Sequence, residues 1–238
     1  MFKITLYILN IFDKIYQKKI IKKFKEIFSN NINTIFDVGS HKGEFINLML
    51  NNFITHKIYS FEPSEKNYKI LKKNINNLNL KTGQIYLNNF ALGEANEKRK
   101  FKQMAESSSS TLSNIDTNSK YFKRKNFFLN FGFKSKIFDE ITIEIKNGSS
   151  FIEMEKIDKI DLLKIDTEGH EYFVLKGFGD NLKKIKTIFF EHHYDQMIVK
   201  DYTFSNIHDY LILKGFKPYF KFKMPLRKSF EYIYINKN

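Results

Sequence analysis

The sequence predicts an α/β domain with a mostly parallel sheet and helices on both of its faces. Beyond residue 33, short apolar runs alternate with segments of helical spacing, which favours parallel strands joined by crossover helices. Two alternating runs near the C-terminus predict a closing antiparallel pair. The 238 residues suffice for one large domain, and the 42% hydrophobic content excludes a disordered or fibrous chain.

The predicted elements follow one another in a regular order. Five buried strands are expected, each a short apolar run, at residues 34–38, 57–61, 84–87, 161–165 and 186–190. Four helices are expected from apolar positions three and four residues apart, at 43–51, 64–77, 171–177 and 204–213. Pro63 suits the first turn of a helix, and Gly215 ends the last one. The antiparallel pair is expected at 216–222 and 231–235.

A long irregular segment separates the third and fourth predicted strands. It contains a further predicted strand at 97–103 and a basic, aromatic insertion at about 104–136. From residue 118 to 136, basic and aromatic side chains interleave and no acid occurs. Such a stretch would bind an anionic or ring-bearing acceptor, or it would form a helix with a phenylalanine core face and a solvated lysine face.

Residues 1–32 are expected to form an amphipathic helical segment ahead of a main domain at 33–238. The apolar run at the N-terminus differs from a signal peptide, because only Lys3 precedes it, no cleavage site follows and Asp13 interrupts it. No stretch approaches the length of a membrane span. We expect the helix to pack on the edge of the domain, with contact to an acidic membrane surface as the alternative. The expected location is cytoplasmic.

The composition excludes several classes of chemistry. The chain has no cysteine, which excludes disulfides, thiolate zinc sites, cysteine nucleophiles and iron–sulfur clusters. The 40 basic and 26 acidic residues give a formal net charge of +14. This excess fits an anionic partner such as nucleic acid, a phosphorylated sugar or an acidic lipid. A genome rich in A and T would produce the same excess, and the lysines are scattered rather than massed.

A local signal for a bound cofactor lies where the first strand ends. Gly39 and Gly43 stand four residues apart between a strand and a helix, so the backbone can approach a ligand and aim amides at it. Glu62 ends the second strand, where an acid can hold the two hydroxyls of a ribose. These features predict an adenosine-bearing cofactor. Asn89, after the third strand, is a candidate for reading the adenine edge.

The residue before the glycine turn indicates which cofactor binds. A dinucleotide-binding turn has the spacing G-x-G-x-x-G, whereas this chain has D-x-G-x-x-x-G. An acid at this point repels a pyrophosphate but suits the ammonium of an amino acid. S-adenosylmethionine carries such an ammonium together with a sulfonium and an adenosine. The sequence therefore predicts S-adenosylmethionine as the cofactor, with the binding residues Asp37, Gly39, Ser40, Gly43, Glu62 and Asn89.

Four segments form a set of motifs, at residues 36–43, 61–63, 91–93 and 161–171. The last of them, D-L-L-K-I-D-T-E-G-H-E, is long and specific. Together they resemble the FkbM-type S-adenosylmethionine-dependent methyltransferases. The resemblance implies a Rossmann-like class I methyltransferase domain at 33–238, with a seven-stranded sheet and O-methylation as the usual activity. It also implies that the acceptor is a carbohydrate of a bacterial surface glycan or another hydroxyl-bearing small molecule.

Candidates for the chemistry follow the fourth and fifth strands, because ligands of such sheets bind beyond the carboxyl ends of the strands. An acceptor hydroxyl must lose a proton, and His192 or His193 would take it as the general base. Asp166 ends the fourth strand and is the third catalytic candidate. A magnesium ion held by Asp166 and Glu191 is an alternative way to activate the hydroxyl. Lys164 offers an ion pair with Asp166 as a simpler reason for both residues.

Glu168 also lies close to the predicted edge of the sheet. It stands at the start of a helix, where the helix dipole alone favours an acid. A catalytic or cofactor-binding role is the alternative for this residue.

Two other functions fit parts of the sequence. RNA ribose O-methylation fits the net charge, although the sequence disfavours a nucleic-acid partner. Base-amino methyltransferases carry an Asn/Asp-Pro-Pro-aromatic loop after the fourth strand, where this chain has Asp166-Thr167-Glu168-Gly169. A non-catalytic cofactor-binding module with an anionic partner is the second alternative.

Overall fold

The computed structural model describes residues 2–78, 84–104, 110–119, 122–123, 138–195, 197–224 and 228–237, with the backbone alone for 2–14. Within these ranges, a seven-stranded sheet with helices on both faces forms the body of the protein. This confirms the predicted α/β fold class. Each of the predicted strands and helices is present, with ends that differ by a few residues.

Parallel pairing dominates the main sheet. Its strands are β1 (Asn31–Val38), β2 (Ile54–Phe61), β3 (Gln84–Asn88), β8 (Ile160–Ile165), β9 (Ile185–His193), β11 (Phe216–Lys223) and β12 (Ser229–Asn236). Their order is β11-β12-β9-β8-β1-β2-β3. The pairs from β9 to β3 are parallel, and β12 is antiparallel to both of its neighbours, as the alternating runs predict. The carboxyl ends of the five parallel strands therefore meet at one edge of the sheet.

Two smaller sheets flank this edge. They contain β4 (Ala91–Gly93), β5 (Glu97–Met104), β6 (Asn114–Ile115), β7 (Phe138–Asn147) and β10 (Ile198–Val199). One sheet has the order β4-β7-β5, and the other joins β6 to β10. The strand predicted at 97–103 is thus β5, but its partner β7 was not predicted. Most residues of both strands are exposed or half-buried, so neither strand shows the continuous apolar run of a central strand.

Helices cover both faces of the main sheet. They are α1 (Phe2–Phe28), α2 (Glu44–Leu50), α3 (Glu65–Asn76), α4 (Gly148–Met154), α5 (Glu171–Phe178) and α6 (Phe204–Leu213). Ser64 caps α3 by accepting the Asn67 amide at 3.3 Å, and Asn147 caps the unpredicted α4 by accepting the Ser150 amide at 2.9 Å.

The hydrophobic core consists of two clusters, one on each face of the main sheet. On one face α4, α5 and α6 pack on the strands through Ile152, Leu175 and Leu211. On the other face α1, α2 and α3 pack through Phe24, Met49 and Leu71. All six side chains are fully buried.

The C-terminal half of α1 belongs to the second core cluster. Its buried side chains are Tyr16, Ile20, Ile21, Phe24 and Phe28. Packing on the domain therefore accounts for residues 16–28, while the boundary between segments 1–32 and 33–238 stays a prediction. Among the helices that the structure describes, none combines the length and apolar composition that crossing a bilayer requires.

The predicted insertion at about 104–136 is described only at Met104, at 110–119 and at 122–123. Most of its basic and aromatic residues lie outside the described ranges, so both interpretations of this stretch stay predictions. Phe122, which is described, is buried with Met104 and Met197.

Candidate functional site

A tight glycine turn follows β1 at the carboxyl edge of the main sheet. Gly39 has a φ of 80°, and the amides of Gly39 and Ser40 donate to the Phe61 carbonyl at 3.0 and 3.1 Å. A Cβ atom on Gly39 would lie 1.8 Å from the carbonyl oxygen of Asp166. Only glycine therefore allows the turn after β1 to approach the loop after β8 this closely.

Glu62 follows the end of β2 and lies against this turn. The side chain is buried, with the residue 4% exposed. Its Oε2 accepts the His41 amide and its Oε1 accepts the Ser64 amide, both at 2.9 Å. Burial raises the pKa of Glu62 to about 7, although the two backbone hydrogen bonds lower it. Glu62 therefore changes charge near neutral pH.

Asn67, in the first turn of α3, stands beside Glu62 and is buried. A hydrogen bond from the Asn67 side chain helps to stabilise the ionised Glu62. The Oδ1 atom of Asn67, however, has no hydrogen-bond partner among the described residues. Because an unpaired buried acceptor is costly, a donor on a bound ligand is the expected partner.

Lys164, a residue of β8, links this strand to the glycine turn. Its Nζ donates to the Gly39 carbonyl at 2.8 Å and lies 3.0 Å from Oδ1 of Asp37. The same Nζ is 3.7 Å from Oδ2 of Asp166. Burial alone would lower the pKa of Lys164, but the two carboxylates raise it above its ordinary value. Asp37 is fully buried in this ion pair, so it supports the turn from the core side.

The turn between β8 and α5 has an unusual backbone. Glu168 has a φ of 51° and Gly169 a φ of 98°. Glu171 accepts the Gly169 amide at 2.8 Å and the Tyr202 hydroxyl at 2.5 Å, and the Thr111 hydroxyl donates to the Glu168 carbonyl at 2.5 Å. A left-handed glutamate costs on the order of 1 kcal/mol or more, and these bonds hold it in place.

One cleft lies between these loops and the smaller β4-β7-β5 sheet. Glu62, Asp166 and Glu168 line its main-sheet side, together with Gly39 and Asn67. The opposite side is more apolar and includes Leu92, Phe101 and Leu112. The cleft therefore joins a carboxylate-bearing wall to an apolar wall at the carboxyl edge of the parallel strands.

A buried imidazole surrounded by carboxylates lies behind Glu168. Nε2 of His193 is 3.1 Å from Oε2 of Glu168 and 3.3 Å from Oε1 of Glu191, and its Nδ1 is 3.4 Å from Oδ2 of Asp195. Burial would lower the pKa of His193, but the three carboxylates raise it well above its ordinary value. His193 is therefore an imidazolium at neutral pH and fixes the carboxylate of Glu168.

His192 points to the opposite face of β9, as strand alternation requires. Its ring packs against Tyr194, Tyr202 and Phe204, with centroid distances of 4.9, 6.0 and 5.8 Å. Burial and the nearby cation of Lys200 lower the pKa of His192 to about 3. His192 is thus a neutral residue of an aromatic cluster.

The carboxylates proposed for magnesium already face cations. Asp166 is 3.7 Å from the ammonium of Lys164, and Glu191 is 3.3 Å from the imidazolium of His193. These cations would repel a divalent ion. In the described part of the chain, no set of three or more His, Asp and Glu side chains is arranged to hold a metal. The residues present do not fit the magnesium ion that the sequence offered as an alternative.

Comparison with known families identifies the kind of protein that carries this cleft. The family described as the methyltransferase FkbM domain matches residues 37–218, which include the glycine turn, Glu62 and the whole turn after β8. The chain belongs to the FkbM methyltransferase family. This confirms the resemblance of the four motifs. No curated protein sequence matches the chain significantly.

Solved structures of other proteins share the fold of this chain. Magnesium protoporphyrin IX methyltransferase of Synechocystis PCC 6803, solved with bound SAM, is 8% identical, with a TM-score of 0.53 over 96% of this chain and 82% of that chain. TrmK of M. capricolum, solved with SAH, is 15% identical, with a TM-score of 0.51 over 92% and 67%. Likeness at these identities shows the fold alone, a Rossmann-like methyltransferase fold.

The cleft of this FkbM protein contains only some of the predicted cofactor-binding residues. Gly39 and Glu62 line it. Ser40 is buried beneath the cleft, and its Oγ donates to the Asp37 carbonyl at 2.7 Å. Gly43, with a φ of 91°, precedes α2. Asp37, Ser40 and Gly43 thus support the turn that Gly39 and Glu62 present.

Asn89 holds the loop after β2 in place. Its Nδ2 donates to the carbonyls of Glu62 and Pro63 at 2.9 and 3.3 Å. Reading of the adenine edge by Asn89 stays a prediction.

The predicted catalytic residues occupy three different positions in the FkbM protein. Asp166 lines the cleft, His193 reaches it through Glu168, and His192 lies in the aromatic cluster. The different surroundings of His192 and His193 follow from the register of β9, which pairs with β12 at His193↔Ser229 and His192↔Phe230. A general-base role for either histidine stays a prediction.

The sequence did not predict the apolar wall of the cleft, nor that two polar residues, His170 and Asn67, line the cleft. Phe101 lies in a predicted strand, but its position over the cleft depends on the pairing of β5 with the unpredicted β7. His170 lines the cleft, and burial with Arg99 nearby lowers its pKa to about 4, so it is neutral. Asn67 carried no signal beyond its place at the start of a helix.

Proposed function

We propose that this protein transfers a methyl group from S-adenosylmethionine to a hydroxyl of a carbohydrate or another small molecule. One observation carries the proposal: Glu62 and Glu168 face the same cleft, and a buried imidazolium holds Glu168 from behind. The first carboxylate suits a ribose, and the second suits an acceptor that must lose a proton.

The residues of the cleft fit S-adenosylmethionine. Glu62 and the unpaired Oδ1 of Asn67 would hold the ribose hydroxyls. Phe101 and Leu112 offer an apolar surface for the adenine. Asp166 is the carboxylate available to the ammonium of the methionine end. When bound, the cofactor supplies an electrophilic methyl group on a sulfonium.

Glu168 is the proposed proton acceptor. A hydroxyl must lose its proton as its oxygen is methylated, and a positioned carboxylate can take it. Oε2 of Glu168 faces His193, so Oε1 is the oxygen that would receive the proton. His193 lies behind Glu168 rather than in the lining of the cleft and acts as a positioning residue. In this scheme His193 fixes the orientation of the Glu168 carboxylate.

The nature of the acceptor rests on the family resemblance and on the polar side chains near Glu168. Ser110, Thr167 and His170 line the same part of the cleft. They can donate or accept hydrogen bonds with the hydroxyls of a sugar. A carbohydrate of a bacterial surface glycan is therefore the proposed acceptor class.

A screen with methyl-labelled S-adenosylmethionine tests this function. The acceptors are sugar nucleotides, lipid-linked oligosaccharides, finished polysaccharides and RNA, each with and without a chelator. We expect label in a carbohydrate, and transfer that persists with the chelator because Asp166 and Glu191 face cations. Label in RNA ribose would favour the RNA alternative, and cofactor binding without transfer to any acceptor would favour a non-catalytic module.

A further inference from the structure

The path of α1 can be followed along β9. The Ile27 carbonyl accepts the Lys186 Nζ at 3.4 Å, close to the start of β9. Further along, the ring of Phe24 packs edge-on against Phe189, with centroids 5.3 Å apart. The helix therefore runs antiparallel to β9 and approaches the carboxyl edge of the sheet as it is followed back toward its N-terminus.

Tyr16 marks the point where α1 reaches that edge. Its hydroxyl donates to Oε2 of Glu231 at 2.5 Å, and Glu231 pairs in the sheet with Glu191, near the end of β9. Residues 2–15 of the helix lie on the far side of this contact. At 1.5 Å per residue they extend the helix by about 20 Å beyond Tyr16. This extension is on the same edge of the sheet as the cleft.

Apolar residues cover most of the circumference of the extension. They are Phe2, Ile4, Leu6, Tyr7, Ile8, Leu9, Ile11 and Phe12. At 100° per residue they extend well beyond the stripe that packs on the domain between residues 16 and 28, and Lys3, Asn10 and Lys14 share a narrow polar stripe. A helix with so wide an apolar face needs an apolar environment beyond the domain itself.

Lysines occupy the exposed face of the helix after the apolar section. Lys18, Lys19, Lys22 and Lys25 are exposed. Residues 4, 11, 18 and 25 are seven apart and share one stripe, which changes from isoleucine in the first half to lysine in the second. The charge of these lysines fits the phosphate layer of an anionic membrane, and the apolar section fits the acyl chains beneath it.

We propose that α1 docks this protein on an anionic lipid surface, with residues 2–12 inside one leaflet and the lysines at the level of the headgroups. Residues 2–12 measure about 16 Å, roughly half of the hydrocarbon thickness, so the helix enters the bilayer without crossing it. The cleft, which opens at the same edge, then faces the membrane. This docking is independent of the chemistry proposed above.

The observations favour lipid over two other occupants. A nucleic acid would use the lysines but would leave the apolar section uncovered. A second copy of this chain would bring identical lysines together, which costs energy because like charges repel. Lipid with anionic headgroups satisfies both halves of the helix.

Vesicle sedimentation of the full chain tests the docking. The vesicles contain phosphatidylcholine alone or with about 30% phosphatidylglycerol, at physiological salt. The test variant is Lys18→Glu/Lys19→Glu/Lys22→Glu, and the matched control is Lys66→Glu/Lys72→Glu/Lys73→Glu, which changes the net charge equally on the exposed face of α3. A third variant, Leu6→Asp/Leu9→Asp, keeps every lysine. Unchanged thermal unfolding verifies that each variant is folded.

We expect the wild-type chain to bind the anionic vesicles. The partition coefficient should fall by about tenfold or more for the α1 lysine variant and for the Leu6/Leu9 variant. It should change by less than about twofold for the α3 control. Equal losses in both lysine variants would overturn the proposal, because net charge alone would then explain binding. Wild-type binding by the Leu6/Leu9 variant would also overturn it. So would a stable dimer in light scattering that this variant abolishes, because a second copy would then cover the apolar section.

Discussion

Nε2 of His193 lies 3.1 Å from Oε2 of Glu168, and of these two residues Glu168 is the one that lines the cleft. The carboxylate therefore faces the cleft, and the imidazolium fixes its orientation from behind. This pairing supports our proposal that Glu168 accepts the proton, a role that the sequence offered only as an alternative to that of an acid at a helix start.

Glu168→Gln should lower kcat for methyl transfer by about a hundredfold or more, because a general base contributes on the order of 10² to 10⁴ in rate. The cofactor Kd should change little, since the proposed ribose contacts involve Glu62 and Asn67. Glu94→Gln, an exposed glutamate that pairs with Lys176 at 2.6 Å, is the isosteric control. Full kcat in Glu168→Gln together with its loss in His192→Gln would assign the proton to His192 instead.

The affinity for S-adenosylhomocysteine should depend on pH through Glu62. Burial raises the pKa of this carboxyl to about 7, so the group is protonated below that pH and ionised above it. Ribose hydroxyls donate more strongly to the ionised form. The Kd should therefore fall as pH rises from about 6 to about 8, as measured by titration calorimetry. Glu62→Gln should bind more weakly with a flat profile, and an unchanged slope in that variant would exclude Glu62 as the titrating group.

Asn67→Ala should raise the Kd for the same ligand by about tenfold, which corresponds to the loss of one hydrogen bond to a buried acceptor. Its unpaired Oδ1 would otherwise meet the ligand in the cleft. Asn76→Ala, on the exposed end of the same helix, is the matched control and should bind like the wild type. Equal affinity for the two variants would show that Asn67 makes no ligand contact.

Lys164→Met should lower the free energy of unfolding by about 3 to 5 kcal/mol, because it leaves the buried Asp37 without its cation. Adding Asp37→Asn should recover part of the loss, which a double-mutant cycle by urea unfolding measures. Lys176→Met is the control, since that lysine forms a partly exposed pair worth less than about 1 kcal/mol. Additive losses at Lys164 and Asp37 would mean that the two charges do not interact.

Much of the fold could be predicted because central parallel strands are buried on both faces. All six residues of β8 are buried, and four of them are apolar, so a short apolar run interrupted by Asp161 and Lys164 was visible. The β4-β7-β5 sheet could not be predicted in the same way. Strand β5 buries only Phe101 and Met104, and β4, which pairs with the other side of β7, has three residues. Pairing of such strands depends on tertiary contacts rather than on local pattern.

The sequence predicts where along the chain the site residues lie, but not how their side chains are arranged. Gly39 and Glu62 follow strand ends, and strand ends meet at one edge of a parallel sheet. Which face His192 and His193 occupy depends on the register of β9, and a shift of one residue would exchange them. The left-handed backbone of Glu168 depends on the hydrogen bond from the Thr111 hydroxyl to the Glu168 carbonyl and on the one from the Gly169 amide to Glu171. Thr111 is distant in sequence, and Glu171 follows the turn.

A crystal structure with S-adenosylhomocysteine tests the central claim most directly. The account predicts the ribose hydroxyls within hydrogen-bond distance of the Glu62 carboxylate and of Oδ1 of Asn67, with the adenine against Phe101. The homocysteine sulfur should then lie on the side of the cleft where Glu168 stands. A ligand bound elsewhere, or an occupied cleft in which Glu62 faces away from the ribose, would contradict it.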